Sequence, residues 1–264
     1  MGYPKVTCDL PKLIENVNAA ADLLHRGGRT FAAVTKSFCA DAPIVDMLNR
    51  SRCDWIADSR VKNLAPMKTQ KPRFLLRIAQ PWETANVVAA ADYSFQSEPE
   101  TIRLLAREAE KQGRRHGIIL AVDMGDLREG CFYQDIDDIE RTAEAVLREK
   151  SLTLCGVGTN LGCFGGVKAS RDNMMSLCAI ARHLRTKYKI ELPYVSGMST
   201  LGHKMLLRGE MPEEINHARL SELWLTGGDA VNHCDVPGMH TDAFTLSAQV
   251  VEIKVKASKP IGEI

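Results

Sequence analysis

The chain has 264 residues, with 34 Lys and Arg against 33 Asp and Glu, a formal net charge of +1, and 45% hydrophobic residues. This composition argues against low-complexity disorder, collagen and a strongly basic nucleic-acid-binding protein. No apolar run approaches the roughly 18 residues of a transmembrane helix, and residues 1–5 are not followed by the apolar core of a secretory signal.

Helix-like and strand-like segments alternate along the chain. Residues 9–26 carry apolar side chains at helical spacing, with Asp9 as a candidate N-cap and Gly27-Gly28 as a stop. Short apolar runs and longer periodic segments then alternate, which predicts parallel β/α construction. The predicted strands are 30–36, 55–57, 74–78, 93–95, 116–124, 153–159, 194–196 and 222–226, and the helices between them are 43–49, 60–67, 82–90, 99–112, 136–148, 172–188 and 204–208.

Eight strand-helix units favour a closed α/β barrel of the (β/α)8 TIM type over an open doubly wound sheet. No GxGxxG or GxxxxGK[ST] motif follows a strand, which removes the simplest nucleotide-binding readings of an open sheet. We assign the barrel to residues 1–228. In such a barrel the chemistry lies at the carboxyl ends of the strands.

The pattern changes after residue 228. Residues 243–256 alternate apolar and polar side chains with the period of a strand, and no helix follows. We therefore read residues 229–264 as a linker and the first strand of an incomplete C-terminal β domain. One strand cannot form a domain, so we expect the chain to stop inside that domain.

Eight cysteines lie at wide spacings and none forms a CxxC pair. A chain of this size does not need disulfides for stability. We therefore predict reduced thiols and a cytoplasmic protein.

Charged side chains lie at or near the carboxyl ends of two of the predicted strands. Lys36 is the last residue of the first predicted strand, where partial desolvation would favour the neutral amine that forms a Schiff base. The fifth strand runs into the polar turn 123–130, in which Arg128 could bind an anionic oxygen. A solvated lysine and a salt-bridged barrel rim are the plainer alternatives.

Hydroxyl groups cluster after the last two strands of the pattern. Ser196, Ser199 and Thr200 follow the seventh predicted strand, and Arg219 and Ser221 precede the eighth. Barrels often bind phosphate in this region, at helix N-termini, although the same residues also serve as plain helix caps. One lysine, two arginines and a phosphate-binding region together suggest a phosphorylated cofactor that forms an imine.

These residues stand in motifs that resemble a known family, the fold-type III pyridoxal-phosphate proteins. Within them the chain is most similar to the amino-acid racemases that include ornithine racemase, and more distantly to the alanine racemase N-terminal domain. The resemblance runs from about residue 3 to residue 264. Its motifs are Asp9-Leu10-x-x-Leu13-x-x-Asn16, Val34-Thr35-Lys36, Asp58-Ser59-Arg60, Asp123-x-Gly125-Asp126-Leu127-Arg128-Glu129-Gly130, Gly158-x-Asn160, Ser196-Gly197, and Arg219 before Glu222-Leu223.

The resemblance implies a role for each polar residue around a pyridoxal 5'-phosphate cofactor. Lys36 matches the lysine that forms the internal aldimine and acts as acid and base on one face of the substrate Cα. Arg128 matches the arginine near the phenolic oxygen, and Asn160 matches a polar residue packed against the ring. Arg219 matches the arginine beside the pyridine nitrogen, where a guanidinium keeps its proton and so favours reprotonation of Cα over transamination.

The resemblance also implies phosphate contacts from both late loops. Ser196, Ser199 and Thr200 lie in the first loop, and Ser221 and Glu222 lie where backbone N–H groups touch phosphate in relatives. The chain departs from the family pattern here, because Met198 and Ser221 replace glycines. We expect their Cβ atoms to matter if these positions need positive φ.

The function implied is racemisation of a free amino acid, ornithine-like or another small or basic one, through Lys36. In alanine racemases the second acid/base comes from the C-terminal domain of a partner subunit, which implies a homodimer when that domain is present. Two alternatives stay open, a non-catalytic pyridoxal-phosphate homeostasis protein and a metal-assisted lyase. For the lyase, the cluster His233-Cys234-Asp235 with His240 and Asp242 could bind metal, but a solvated loop is the simpler reading, so no metal site is assigned.

Overall fold

Eight parallel strands form the centre of the structure, a computed structural model that describes residues 2–162, 164–229 and 233–263. Each strand pairs in parallel with the next, in the order β10-β2-β3-β4-β5-β6-β8-β9. A short strand β7 pairs with β6 outside this path. The strands are β1 (Lys5–Cys8), β2 (Thr30–Val34), β3 (Trp55–Asp58), β4 (Arg73–Ile78), β5 (Tyr93–Gln96), β6 (His116–Asp123), β7 (Cys131–Phe132), β8 (Leu152–Gly158), β9 (Tyr194–Ser196), β10 (His217–Leu220), β11 (Gly228–Asp229), β12 (Cys234–Asp235) and β13 (Phe244–Ser247).

The sheet closes between its last two strands. Strand β10 pairs with β2 on one side, and Met198, just after β9, forms a parallel bridge with Ala218 of β10 on the other. The Arg219 N–H donates to the Met198 carbonyl at 2.9 Å across the same seam. Closure brings the two ends of the sheet together, so the loop after β9 lies beside the loop after β10.

Helices follow the strands and cover the outside of the barrel. The first shows how the sequence specifies them: the Asp9 carboxylate caps the Lys12 N–H, and Leu13, Val17 and Leu24 face the core at helical spacing. The helices are α1 (Leu10–His25), α2 (Ala42–Arg50), α3 (Val61–Leu64), α4 (Thr84–Ala90), α5 (Pro99–Lys111), α6 (Ile136–Leu147), α7 (Arg171–Tyr188), α8 (His203–Leu207) and α9 (Glu222–Thr226), with 3-10 turns at Lys36–Phe38, Pro81–Glu83 and Thr200–Gly202.

Two buried clusters hold this arrangement together. The larger lies between the barrel and its helices. The smaller fills the barrel interior with aromatic and small side chains, including Trp55, Phe74 and Phe95. The Trp55 ring stacks on Tyr93 with centroids 4.3 Å apart and meets the edge of Tyr194 at 4.8 Å. These rings close the bottom of the barrel, which leaves its carboxyl end as the place for a cavity.

The barrel prediction is confirmed, and so are its first seven strands. The eighth predicted strand, 222–226, is wrong: these residues form helix α9, and the eighth strand is His217–Leu220. His217 and Arg219 are polar, yet both are buried because they bond to Ser196 inside the barrel. A single sequence does not show those partners, so the strand reads as a polar loop.

Among the described residues, four short strands form two small sheets outside the barrel. Strand β13 pairs antiparallel with β1, and β11 pairs antiparallel with β12. The strand predicted over residues 243–256 is therefore shorter, because its regular structure covers only Phe244–Ser247, where β1 supplies hydrogen bonds. No helix among the described residues is long and apolar enough to cross a membrane.

We predict that Gly130→Ala will be much more destabilising than Gly113→Ala. Both glycines have positive φ, +119° and +62°, but a Cβ at Gly130 would lie 2.8 Å from the Asp123 nitrogen and 2.9 Å from the Ala121 carbonyl, whereas one at Gly113 meets nothing within 4 Å. Urea unfolding should give a loss of about 1 kcal/mol for Gly113→Ala and about 3 kcal/mol for Gly130→Ala. Equal losses would contradict this account of the β6 to β7 turn.

Candidate active site

A cavity of about 320 Å³ opens at the carboxyl end of the barrel strands. Its lining comes from the loops after β2, β3, β6, β8, β9 and β10. Of the nine residues predicted from the sequence, eight line it and the ninth, Ser196, bonds to Arg219 directly behind its wall. The eight are Lys36, Arg128, Asn160, Ser199, Thr200, Arg219, Ser221 and Glu222.

Lys36 is held in place by the residue before it. Thr35 is fully buried, and its hydroxyl donates to the Asp58 carboxylate at 2.6 Å. Asp58 also accepts hydrogen bonds from the Arg60 N–H and the Asn63 amide, at 2.8 and 3.0 Å. This network fixes the end of β2, from which the Lys36 side chain extends. The expectation that Lys36 is partly desolvated is wrong, because the residue is exposed.

A chain of hydrogen bonds crosses one wall of the cavity. Arg219 donates through Nη2 to Asn160 Oδ1 at 3.0 Å, and the Asn160 amide donates to Glu129. The other oxygen of Glu129 lies 2.6 Å from Arg128 Nε. Glu129 therefore orients a guanidinium and an amide at once. Asn160 contributes to this wall as a link between two charged groups.

Arg219 is a buried cation with several of its N–H groups directed at fixed acceptors. It is 5% exposed, and it donates to the Ser196 carbonyl at 2.7 Å and the Thr159 carbonyl at 2.5 Å. Its guanidinium carbon also lies 5.0 Å from the centroid of Phe95. Buried charge is stable only with such pairing, so the position of this guanidinium is set by β8, β9 and β10 together.

His217 supports Ser196 from inside the barrel. Arg219 donates to Ser196 Oγ, so the serine proton is directed to His217 Nδ1, 2.5 Å away. His217 Nε2 has no hydrogen-bond partner among the described residues, and the ring lies 4.7 Å from Trp55. Burial, with a smaller effect of Arg219, lowers the pKa of His217 to about 3. The neutral ring accepts the serine proton and places no second charge beside the guanidinium.

The two late loops bring hydroxyl groups to one end of the cavity. Ser199 and Thr200 precede α8, and Ser221 is the residue before α9, with its Oγ 3.2 Å from Ser37 Oγ. The expected need for positive φ is wrong at both departures from the family pattern: Ser221 has φ −120°, and Met198 is absent from the positive-φ residues. The Met198 side chain is buried in the core.

A buried His–Asp contact lies behind these loops. His203, at the start of α8, is 2.8 Å through Nδ1 from Asp229 Oδ2, and both side chains are at most 2% exposed. The same nitrogen lies 3.1 Å from the Thr200 carbonyl. Because Asp229 follows α9, this pair ties the loop after β9 to the segment after β10.

Asp126 anchors the loop that completes the cavity. Its carboxylate accepts hydrogen bonds from the backbone N–H groups of Gly162, Phe164 and Val167 at 2.9–3.1 Å. Burial alone would raise the pKa of Asp126, but these backbone donors hold its pKa below its ordinary value. The ionised carboxylate thus ties the loop after β6 to the loop after β8.

Two of the residues considered as metal ligands, His240 and Asp242, have other partners. His240 Nε2 lies 2.6 Å from Glu15, and Asp242 lies 2.6 Å from Lys12 on α1. Within residues 2–162, 164–229 and 233–263, no three His, Cys, Asp or Glu side chains form a group able to hold a metal ion.

Comparison with known proteins agrees with this geometry. The family model described as "Alanine racemase, N-terminal domain" matches residues 8–220. This chain belongs to that family. It is 40% identical to the ornithine racemase of Acetoanaerobium sticklandii, over 99% of the chain and 74% of that protein, and 29% identical to the lysine racemase of Thermotoga maritima, over 100% and 73%.

A solved structure shows the same fold as this family member. The alanine racemase of Clostridium difficile 630 in complex with cycloserine matches with a TM-score of 0.78 over 96% of this chain and 69% of that one. The identity is 14%. A D-threonine aldolase from Filomicrobium marinum matches with a TM-score of 0.72 at 14% identity, over 92% of this chain and 68% of that one. At such identities the likeness concerns the fold alone.

Two residues of the site, Glu129 and His217, have no role in the prediction from the sequence. Glu129 lies directly after Arg128 in the quoted motif, and this adjacency is the signal that the sequence offers. His217 lies two residues before Arg219, which is the spacing that puts both on one face of a strand. The sequence hides this signal, because the polar residues of this segment are typical of a loop and do not predict a strand.

We predict that the protein loses stability as pH falls from about 6.5 towards 4. Burial, opposed by weaker effects, lowers the pKa of His116 to about 4, and burial with Arg219 lowers the pKa of His217 to about 3. The unfolded chain binds protons at both histidines below their ordinary value of 6.5, so stability is complete above that pH and declines below it. Each group should remove about 2 kcal/mol between pH 7 and pH 5, measured by urea unfolding.

His217→Phe separates this cause from general acid sensitivity. The variant should lose about 1–3 kcal/mol at pH 7, because the Ser196 hydroxyl loses its acceptor, but it should show a smaller decline between pH 7 and pH 5. His183→Phe, at an exposed position, is the matched control. An unchanged decline in His217→Phe would rule out His217 as its source.

Proposed function

We propose that this protein is a pyridoxal-phosphate-dependent amino-acid racemase. The observation that carries the proposal is the cavity in which Lys36 shares its walls with two guanidinium groups and the hydroxyl groups of two adjoining loops. Membership of the alanine racemase N-terminal domain family supports it, as do relatives named ornithine racemase and lysine racemase.

The donor set of the cavity fits this cofactor. Lys36 offers a primary amine, Arg128 and Arg219 offer permanent cations, and Ser199, Thr200 and Ser221 offer hydroxyl donors beside two helix starts. A volume of about 320 Å³ is within the range of small-molecule sites. When bound, pyridoxal phosphate acts as an electron sink that makes the proton on the substrate Cα acidic.

Lys36 is the residue that we propose to hold the cofactor and to move the proton. Its Nζ is a primary amine, which is the group that this chemistry requires. The side chain extends from a strand end fixed by Thr35 and Asp58. Exposure to the cavity leaves Nζ able to carry a proton to and from one face of Cα. Racemisation needs a second proton carrier on the opposite face, and we propose a homodimer in which a partner contributes it.

Arg219 keeps its proton throughout the reaction. A guanidinium does not ionise at working pH, and Ser196, Thr159 and Asn160 fix the directions of its N–H groups. Beside the cofactor ring nitrogen it would donate a hydrogen bond without transferring its proton. Negative charge would then stay closer to Cα, which favours return of a proton there.

Arg128 and the late loops bind anionic groups. Glu129 holds Arg128 through Nε, which leaves the terminal nitrogens of the guanidinium to face an anionic oxygen. Ser199, Thr200 and Ser221 converge where a phosphate would lie, and the His203–Asp229 pair keeps their loops together. We propose ornithine or lysine as the substrate, on the names of the two relatives, and a cytoplasmic location.

We predict that Lys36→Ala abolishes covalent cofactor binding and lowers racemisation by at least about 10²-fold, the contribution of a placed acid/base. The wild-type protein should show a visible absorbance band with pyridoxal phosphate and should racemise L-ornithine or L-lysine, followed by optical rotation. Borohydride treatment should fix the cofactor to the peptide that contains Lys36. The exposed lysine variant Lys62→Ala is the control and should behave as wild type.

Two outcomes of this experiment decide against the proposal. A wild-type protein that gives no visible band does not hold the cofactor. A band without racemisation of L-ornithine, L-lysine, L-alanine or L-serine would favour the non-catalytic binding protein.

We predict that Glu129→Gln weakens cofactor binding and turnover by about tenfold, which corresponds to loss of one charge-assisted hydrogen bond. The amide can still accept from Asn160 but no longer neutralises Arg128. Glu100→Gln removes a comparable Arg–Glu pair on the exposed face of α5 and should change neither quantity. Wild-type affinity and turnover in Glu129→Gln would mean that Arg128 is positioned without it.

A further inference from the structure

A second cleft lies beside the candidate active site and has a different chemistry. Its volume is about 380 Å³. Leu201 lines both this cleft and the active-site cavity, so the loop after β9 forms the wall between them. None of the serine, threonine and arginine residues discussed above lines it. The other walls come from the start of α7 and from α8 with the turn that follows it.

Four cations face this cleft: Lys168, Arg171, Lys204 and Arg208. Within the residues that the structure describes, none of them forms an ion pair. Glu210 is the single carboxylate among the lining residues given for the cleft. Four like charges around one concavity repel each other and attract anions from solution.

Other cations, further along α7, do form ion pairs. Arg182 and Arg185, further along α7, share the carboxylate of Glu214, and Lys187 pairs with Glu140. The unpaired cations thus lie around the end of α7 that begins at Arg171, with Lys204 and Arg208 contributed by α8 and the residue after it. That end also carries the positive pole of an 18-residue helix, which adds to their attraction for an anion.

We propose that this cleft is a binding site for a small phosphate-bearing anion, either inorganic phosphate or a phosphomonoester. Its size matches a small-molecule site, and its concave shape favours a compact multivalent anion over an extended chain. Arginine binds phosphate oxygens through paired N–H groups, and lysine adds charge. The site is separate from the cavity proposed for the cofactor and does not depend on that proposal.

The test is calorimetric titration with two probes, inorganic phosphate and glycerol phosphate, at constant ionic strength against sodium chloride. Constant ionic strength removes general screening from the comparison. We expect saturable binding of at least one probe, and the tighter probe identifies the form of the ligand.

The double variant Lys204→Gln/Arg208→Gln should bind phosphate at least about tenfold more weakly, since it loses two charged contacts and keeps most of both side-chain stems. Arg107→Gln is the matched control: it removes an exposed cation of α5 without an ion pair among the described residues and should bind as wild type. The double variant should also unfold at the same or a higher temperature in phosphate-free buffer at low salt, because it relieves repulsion.

Three results would overturn the proposal. One is absence of saturable binding by either probe. The second is equal binding by wild type and double variant, since this places the anion elsewhere. The third is a change of oligomeric state in the double variant, measured by sedimentation, which would make the cleft a subunit interface.

Discussion

The buried guanidinium of Arg219 is the constraint on which the active-site end of the barrel depends. A cation with 5% exposure requires acceptors for its N–H groups. They come from two neighbouring strand ends, the Thr159 carbonyl after β8 and Ser196 of β9, while β10 carries the arginine itself. These are the strands at which the sheet closes. Burial of one charge thus specifies the register of the seam and the position of a cavity wall together.

The surrounding loops are fixed by carboxylates in the same manner. Asp58 holds the end of β2, and Asp126 ties the loop after β6 to the loop after β8. Glu129 joins Arg128 to Asn160, which in turn reaches Arg219. Each carboxylate gathers donors from segments distant in sequence, so the cavity has a defined shape although its lining comes from six different loops. Preorganised charges of this kind are what transition-state stabilisation requires.

The polar interior of the barrel mouth gives way to an apolar base. His217 stands at this boundary, with Ser196 on one side and the rings of Trp55 and Tyr194 on the other. Its low pKa keeps it neutral, so the barrel contains a hydrogen-bond acceptor and no additional cation next to Arg219. Outside the mouth, the cleft at the start of α7 gathers cations that have no ion-pair partners among the described residues.

The sequence by itself determined the alternation of strands and helices, the closed barrel and the strand ends that carry Lys36, Arg128 and Asn160. These follow from local periodicity, which a chain expresses wherever its neighbours lie. Only the tertiary structure decided that His217–Leu220 is the eighth strand, that Glu129 joins Arg128 to Asn160, and that β13 ends at Ser247 beside β1. The physical reason is that polar residues become buried, and strands gain or lose hydrogen bonds, through partners up to 242 positions away along the chain, as Lys5 and Ser247 are.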